Sequence, residues 1–156
     1  FPEVDGSLAR LAEAKGYSPL LQLAGFAFVA AFFTLLFKGT AADALCSLVA
    51  GAVIFFAKYP MERHRANSFF VNGACSFLAA LTAIAGVRLG VGQNLDKIII
   101  GAFMGLVPGV AITNFMRDVV EGDLFAGITK LTESLLTATA LALGAGIALS
   151  LLGGAA

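Results

Sequence analysis

The chain has 156 residues, of which 59% are hydrophobic and only 13% charged, with ten basic residues balanced by ten acidic ones. Soluble domains carry about 25% charged residues, and a chain this small has too much surface to wet with so few, so lipid is the predicted solvent; the mean hydropathy of +0.92 agrees. The zero net charge provides no basic field for nucleic acid, and His64, the only histidine, leaves no histidine-based metal site.

Residues 1–17 are the only stretch that reads as water-soluble. Ser7 can cap a short helix, Leu8 and Leu11 recur at helical spacing, and Gly16 can end it. This predicts an amphipathic juxtamembrane segment, with Tyr17 as an interfacial aromatic. No signal-peptide pattern opens the chain. From residue 18 to residue 156 the sequence reads as one transmembrane helical domain.

Five apolar stretches follow in order. Residues 19–37 carry no charge, and Pro19 suits a first helical turn. Residues 41–57 hold one acid, Asp43, near their start. Residues 68–87 carry no charge. Residues 98–116 carry none either, but Pro108-Gly109 interrupts them. Residues 131–152 hold Glu133, and their helix is expected to begin back at Asp123. Each is near the roughly 20 residues a helix needs to cross about 30 Å of hydrocarbon. Strands of a barrel would be short and alternating.

The breaks fit this division: a Lys38-Gly39-Thr40 turn, polar loops over residues 58–67 and 90–97, and a capping glycine next to a capping aspartate at Gly122-Asp123. The predicted fold is therefore all-α, a polytopic membrane protein of about five transmembrane helices, the fourth broken or kinked at Pro108-Gly109. Cys46 and Cys75 lie within apolar runs and read as small core residues. Arg10, Lys15, Lys58, Arg63, Arg65, Arg117 and Lys130 fall on one side of this topology, against Lys38, Arg88 and Lys97 on the other. That bias predicts a cytoplasmic N-terminus.

The fourth stretch holds the densest chemical signal. Gly101, Gly105 and Gly109 fall on one helix face, where small residues admit a close neighbour. Pro108 removes a hydrogen bond and clashes with the preceding turn. Freed backbone in a membrane is tolerated only within protein or at a wet cavity, and transporters aim such half-helices at an ion or substrate; the competing reading is a plain proline kink. Beyond the break, Asn114, Arg117, Asp118 and Glu121 share a face, with Thr113 beside them. On the next helix Lys130, Glu133, Ser134 and Thr137 share another. The two faces can line one cavity, or their ion pairs can simply hold a solvated corner. Asp43 reads as a helix N-cap, with a proton or substrate role as the alternative. Enzyme readings fail: there is no Gly-x-Ser-Gly with a partner histidine, no Gly-x-Gly-Asp, and Gly90-Val-Gly92 lacks the strand and third glycine of a dinucleotide loop.

The run Leu106-Val-Pro108-Gly109, then Thr113-Asn114-Phe-Met-Arg117-Asp118, then Gly122-Asp123 and Gly127, resembles the threonine/serine exporter family of bacteria. Residues 32–39 and Asp43-Ala-Leu resemble that family's first hairpin. The similarity covers about residues 8–152 and is to the first membrane half. It implies a multi-pass protein of the bacterial inner membrane that exports small hydrophilic amino acids under the proton gradient, with no cofactor, and with a second membrane half or another copy as partner. Substrate-binding candidates are Pro108, Gly109, Thr113, Asn114, Arg117 and Asp118; Asp43, Glu121, Lys130 and Glu133 are candidates for a coupling or polar network. A small-dicarboxylate exporter, using Arg117 and Lys130 as two cations, and a non-transporting membrane scaffold are the alternatives.

Overall fold

A computed structural model describes residues 18–63 and 66–152. The segment expected over residues 1–17 lies outside the described residues. Six helices are described: α1 (Pro19–Leu36), α2 (Ala41–Arg63), α3 (Ser68–Arg88), α4 (Leu95–Phe103), α5 (Gly109–Glu121) and α6 (Leu124–Leu152). No strand occurs among the described residues. Helices α1, α2, α3 and α6 are each long and apolar enough to cross a membrane. The fourth apolar stretch is not a fifth continuous span. It is two short helices, α4 and α5, whose 9 and 13 residues reach only about 14 and 20 Å.

Local chemistry sets the ends. Ser18 caps α1 and Pro19 takes its first position, where a missing N–H costs nothing. The turn out of α1 places Lys38 at φ 62. Gly39 follows because a Cβ there would lie 2.8 Å from the Thr34 carbonyl oxygen. Helix α2 runs past Pro60 to Arg63, so the loop expected from residue 58 begins later. Pro60 removes a single ladder bond near the helix end, and Lys58 and Glu62, one turn apart at 3.6 Å, carry the helix on. Asn67 caps α3 through the Phe69 N–H at 2.9 Å. Gly122, at φ 91, ends α5, and Asp123 caps α6 through the Ala126 N–H at 3.1 Å, as the sequence predicts.

The interior is built from small residues. Ala30, Ala50, Ala79, Ala80, Ala83, Ala140 and Ala148 are all buried. Lipid offers no hydrophobic drive between helices, so close backbone approach supplies the packing. A Cβ on Gly51 would lie 2.5 Å from the Phe26 carbonyl oxygen, which marks the α1–α2 contact. A Cβ on Gly144 would lie 2.2 Å from the Gly73 carbonyl oxygen, which marks the α3–α6 contact. Helices α3 and α6 run parallel: Ser76 donates to the Leu141 carbonyl at 2.5 Å, and Arg88 donates to the Leu152 carbonyl. Large side chains such as Phe28, Phe32, Phe56, Phe70, Leu135 and Leu143 face outward, as lipid contact requires. Helix α4 is inserted among α1, α2 and α3, whereas α5 packs mainly on the first half of α6.

Candidate functional site

Pro108 has no N–H for the Met104 carbonyl and its ring opposes that carbonyl, so the ladder fails from residue 104 and not only at the proline. Leu106 and Val107 donate back to Phe103 at 2.7 and 3.0 Å. Gly109 donates to Val107 at 2.8 Å, with Pro108 at φ −79 and ψ 59 between them. That is an inverse γ-turn, and α5 starts directly after it. The glycine face behaves unevenly. A Cβ on Gly101 would lie 1.9 Å from Thr34 Oγ1, and one on Gly105 would lie 3.0 Å from the Phe26 ring; Gly109 has nothing within 4 Å. Only the first two serve close packing, against α1.

A cavity of about 240 Å³ opens at the break. Its wall includes Lys58 and Glu62 from α2, Ser68 and Asn72 from α3, Leu106 and Pro108 from the break, and Glu133 and Thr137 from α6. The volume is roughly that of eight waters, below the roughly 300–1,000 Å³ of sites for drug-sized ligands. Lys58 bridges to Glu62 and sits 5.3 Å above the Phe26 ring. Glu133 has no ion pair among the described residues. The positive end of the α5 dipole begins at this wall.

A second polar cluster lies at the α5–α6 corner. Asp118 is buried and accepts from Lys130 and, at 3.4 Å, from Arg117. Arg117 also reaches Glu121 at 3.9 Å. The Lys130 ammonium holds the Asp118 carboxyl below its ordinary range, with Arg117 adding to the effect.

At the opposite end of the bundle Asp43 is fully buried. It stands three residues after Thr40 and exchanges bonds with it: Thr40 N–H to Asp43 Oδ2 at 2.9 Å, and Asp43 N–H to Thr40 Oγ1 at 3.2 Å. This is a capping box, so Asp43 sits inside the first turn while Thr40 holds the cap. Its carboxylate also accepts from the Gln93 N–H at 2.6 Å, the Asn94 N–H at 3.0 Å and the Asn94 side-chain amide at 2.7 Å. Beside it the Thr34 and Ser47 hydroxyls lie 2.5 Å apart and reach the Lys97 and Ile98 carbonyls at 3.4 and 3.3 Å.

The family model described as "Putative threonine/serine exporter" matches residues 2–152. The chain belongs to the threonine/serine exporter family. Among curated proteins and among solved structures none matches it. In this exporter-family chain the residues singled out from sequence fall into separate places. Pro108 and Glu133 line the cavity. Arg117, Asp118, Glu121 and Lys130 meet at the corner. Thr113 is exposed and bonds back to the Gly109 carbonyl at 3.0 Å, Asn114 is half-buried on α5, and Asp43 lies at the far end. Lys58, Glu62, Ser68 and Asn72 complete the cavity wall, and sequence reasoning passed over them. For Asn72 a signal existed, a primary amide inside an otherwise uncharged span. For Lys58 and Glu62 the polar run looked like a loop.

Proposed function

We propose that the chain is a membrane component of a bacterial secondary transporter that exports threonine, serine and similar small hydrophilic amino acids from the cytoplasm, driven by protons. The observation that carries the reading is the charge of the cavity wall: one cation, Lys58, with two carboxylates, Glu62 and Glu133, beside a helix break. A zwitterion matches this set, its carboxylate toward Lys58 and the α5 N-terminus and its ammonium toward Glu133. A dicarboxylate would bring two more negative charges to a wall that already has two, and like charges disfavour binding. An unpaired acid on a helix long and apolar enough to span is uncommon unless it serves an ion or substrate path, which weighs against a scaffold. The basic-residue bias supports a cytoplasmic position for the cavity end, the side from which an exporter loads. Glu133, unpaired and facing the cavity, is the candidate proton carrier, and a second membrane half or another copy is the expected partner.

Proteoliposomes test this. Vesicles holding the chain, alone and with a candidate second half, are loaded with labelled L-threonine, L-serine or succinate. The expected result is amino-acid flux that collapses with a protonophore, and little succinate flux. Glu133→Gln should abolish the proton dependence. Equal succinate flux would replace the amino-acid reading, and no flux in any combination would leave the scaffold.

A further inference from the structure

We propose that Asn72 reads the side-chain hydroxyl of the substrate, and so sets the preference for hydroxylated over aliphatic amino acids; this rests on the exporter reading of the cavity. Asn72 lies one turn into α3, is only 8% exposed, and lines the cavity between Ser68 and the buried Val71 and Leu106. Its side chain has no hydrogen-bond partner among the described residues, unlike Asp43, Ser47 and Asp118. Yet no fully enclosed polar side-chain atom among the described residues lacks a partner. The Asn72 amide therefore keeps contact with accessible space, and the cavity it lines is where that space lies.

Buried polar groups are nearly always satisfied, and an exception calls for a reason. The chemistry of the amide supplies one. It offers two donors and one acceptor without charge, which matches a hydroxyl that both donates and accepts. The charged ends of an amino acid have better partners on the same wall, Lys58 for the carboxylate and Glu133 for the ammonium. The hydroxyl is what remains for Asn72. A methyl group in its place fits the same volume but strands the amide, and sites built to bond a hydroxyl reject such analogues far more strongly than apolar pockets reject an extra methylene.

Two substrate pairs isolate this contact. L-threonine and L-valine differ by a hydroxyl in place of a methyl, as do L-serine and L-2-aminobutyrate. Equilibrium binding of all four is measured on the full chain in nanodiscs, for wild type, Asn72→Leu, Asn72→Ala and Thr137→Val. Wild type should favour the hydroxylated member of each pair by about 10- to 100-fold. In Asn72→Leu the ratio should fall to within about 3-fold of unity, mainly through weaker binding of the hydroxylated member. Asn72→Ala gives the same reading should the leucine not fold. Retention of the ratio in both Asn72 variants, or its collapse only in Thr137→Val, would overturn the assignment while leaving the exporter reading intact. Binding without preference in wild type also removes the role of Asn72 alone. Binding of none of the four would remove the exporter reading of the cavity, and this inference with it.

Discussion

Arg117, Asp118 and Lys130 show how two physical roles for one set of charges separate by geometry. All three were legible in sequence as polar residues close to a membrane boundary. Their spacing could not say whether they face a substrate or each other. In the structure Asp118 is buried between the two cations, whereas Arg117 stays largely exposed and outside the cavity wall. Lysine keeps the charge of arginine and loses its planar fork. We therefore expect Arg117→Lys to export at close to the wild-type initial rate at matched membrane expression. A loss of about tenfold or more would return Arg117 to the substrate. Asp118 makes a complementary prediction. A carboxyl whose folded-state pKa is lowered contributes stability above its ordinary value of 3.8 and loses it as protons bind at lower pH. In thermal melts, Asp118→Asn should be less stable than wild type near neutrality, and the difference should close as the pH falls through 3.8 and below. A gap that is constant with pH would mean that packing, not charge, holds the corner.

Among the elements, the helix–helix contacts make the sharpest claims. Gly144 and Gly146 are two residues apart on α6, yet a Cβ on Gly144 would overlap the Gly73 carbonyl while one on Gly146 meets nothing within 4 Å. Gly144→Ala should force α3 and α6 apart and destabilise by about 1–3 kcal/mol. Gly146→Ala should be neutral or stabilising by up to about 1 kcal/mol. Unfolding in mixed micelles checks both, and equal effects would refute the close approach. Asp43→Ala removes the capping box and leaves the loop donors of Gln93 and Asn94 without an acceptor, so a loss of about 2–4 kcal/mol is expected. Four spans, the capped ends and the Gly122-Asp123 corner were legible because composition and caps are local signals. The length of α2 was not, because a polar helix end and a loop share one composition around Lys58 and Glu62. The break was legible at Pro108, but its start at residue 104 follows from which carbonyl the proline orphans. The role of Asp43 was half legible: its place near a helix start is in the sequence, but its loop partners lie 50 residues away.

For the whole molecule, the four long spans followed from hydropathy, while the cavity did not, because it is assembled from α2, α3, the break and α6 at once. Arg63 and Lys38 mark opposite ends of α2's neighbourhood and report the orientation. In a chain with Cys46 and Cys75 replaced by alanine, Arg63→Cys should react with an impermeant maleimide only after the membrane is opened, and Lys38→Cys from outside intact cells. The reverse pattern would invert the molecule and make the cavity an outward-facing one.

The distribution of directional bonds on α4 has a mechanical consequence. The side-chain ties to this half-helix and its lead-in loop reach residues 93, 94, 97 and 98. Beyond Ile98 the contacts are apolar packing, with Ala102 and Leu106 in the core, and close glycine backbone against α1. Helix α4 is thus tied by directional bonds only at its root, to Asp43, Thr34 and Ser47, and held by shape alone at the end that reaches the break. Asp43, Thr34 and Ser47 therefore fix where α4 enters the bundle, and so the register of the break, without lining the cavity themselves.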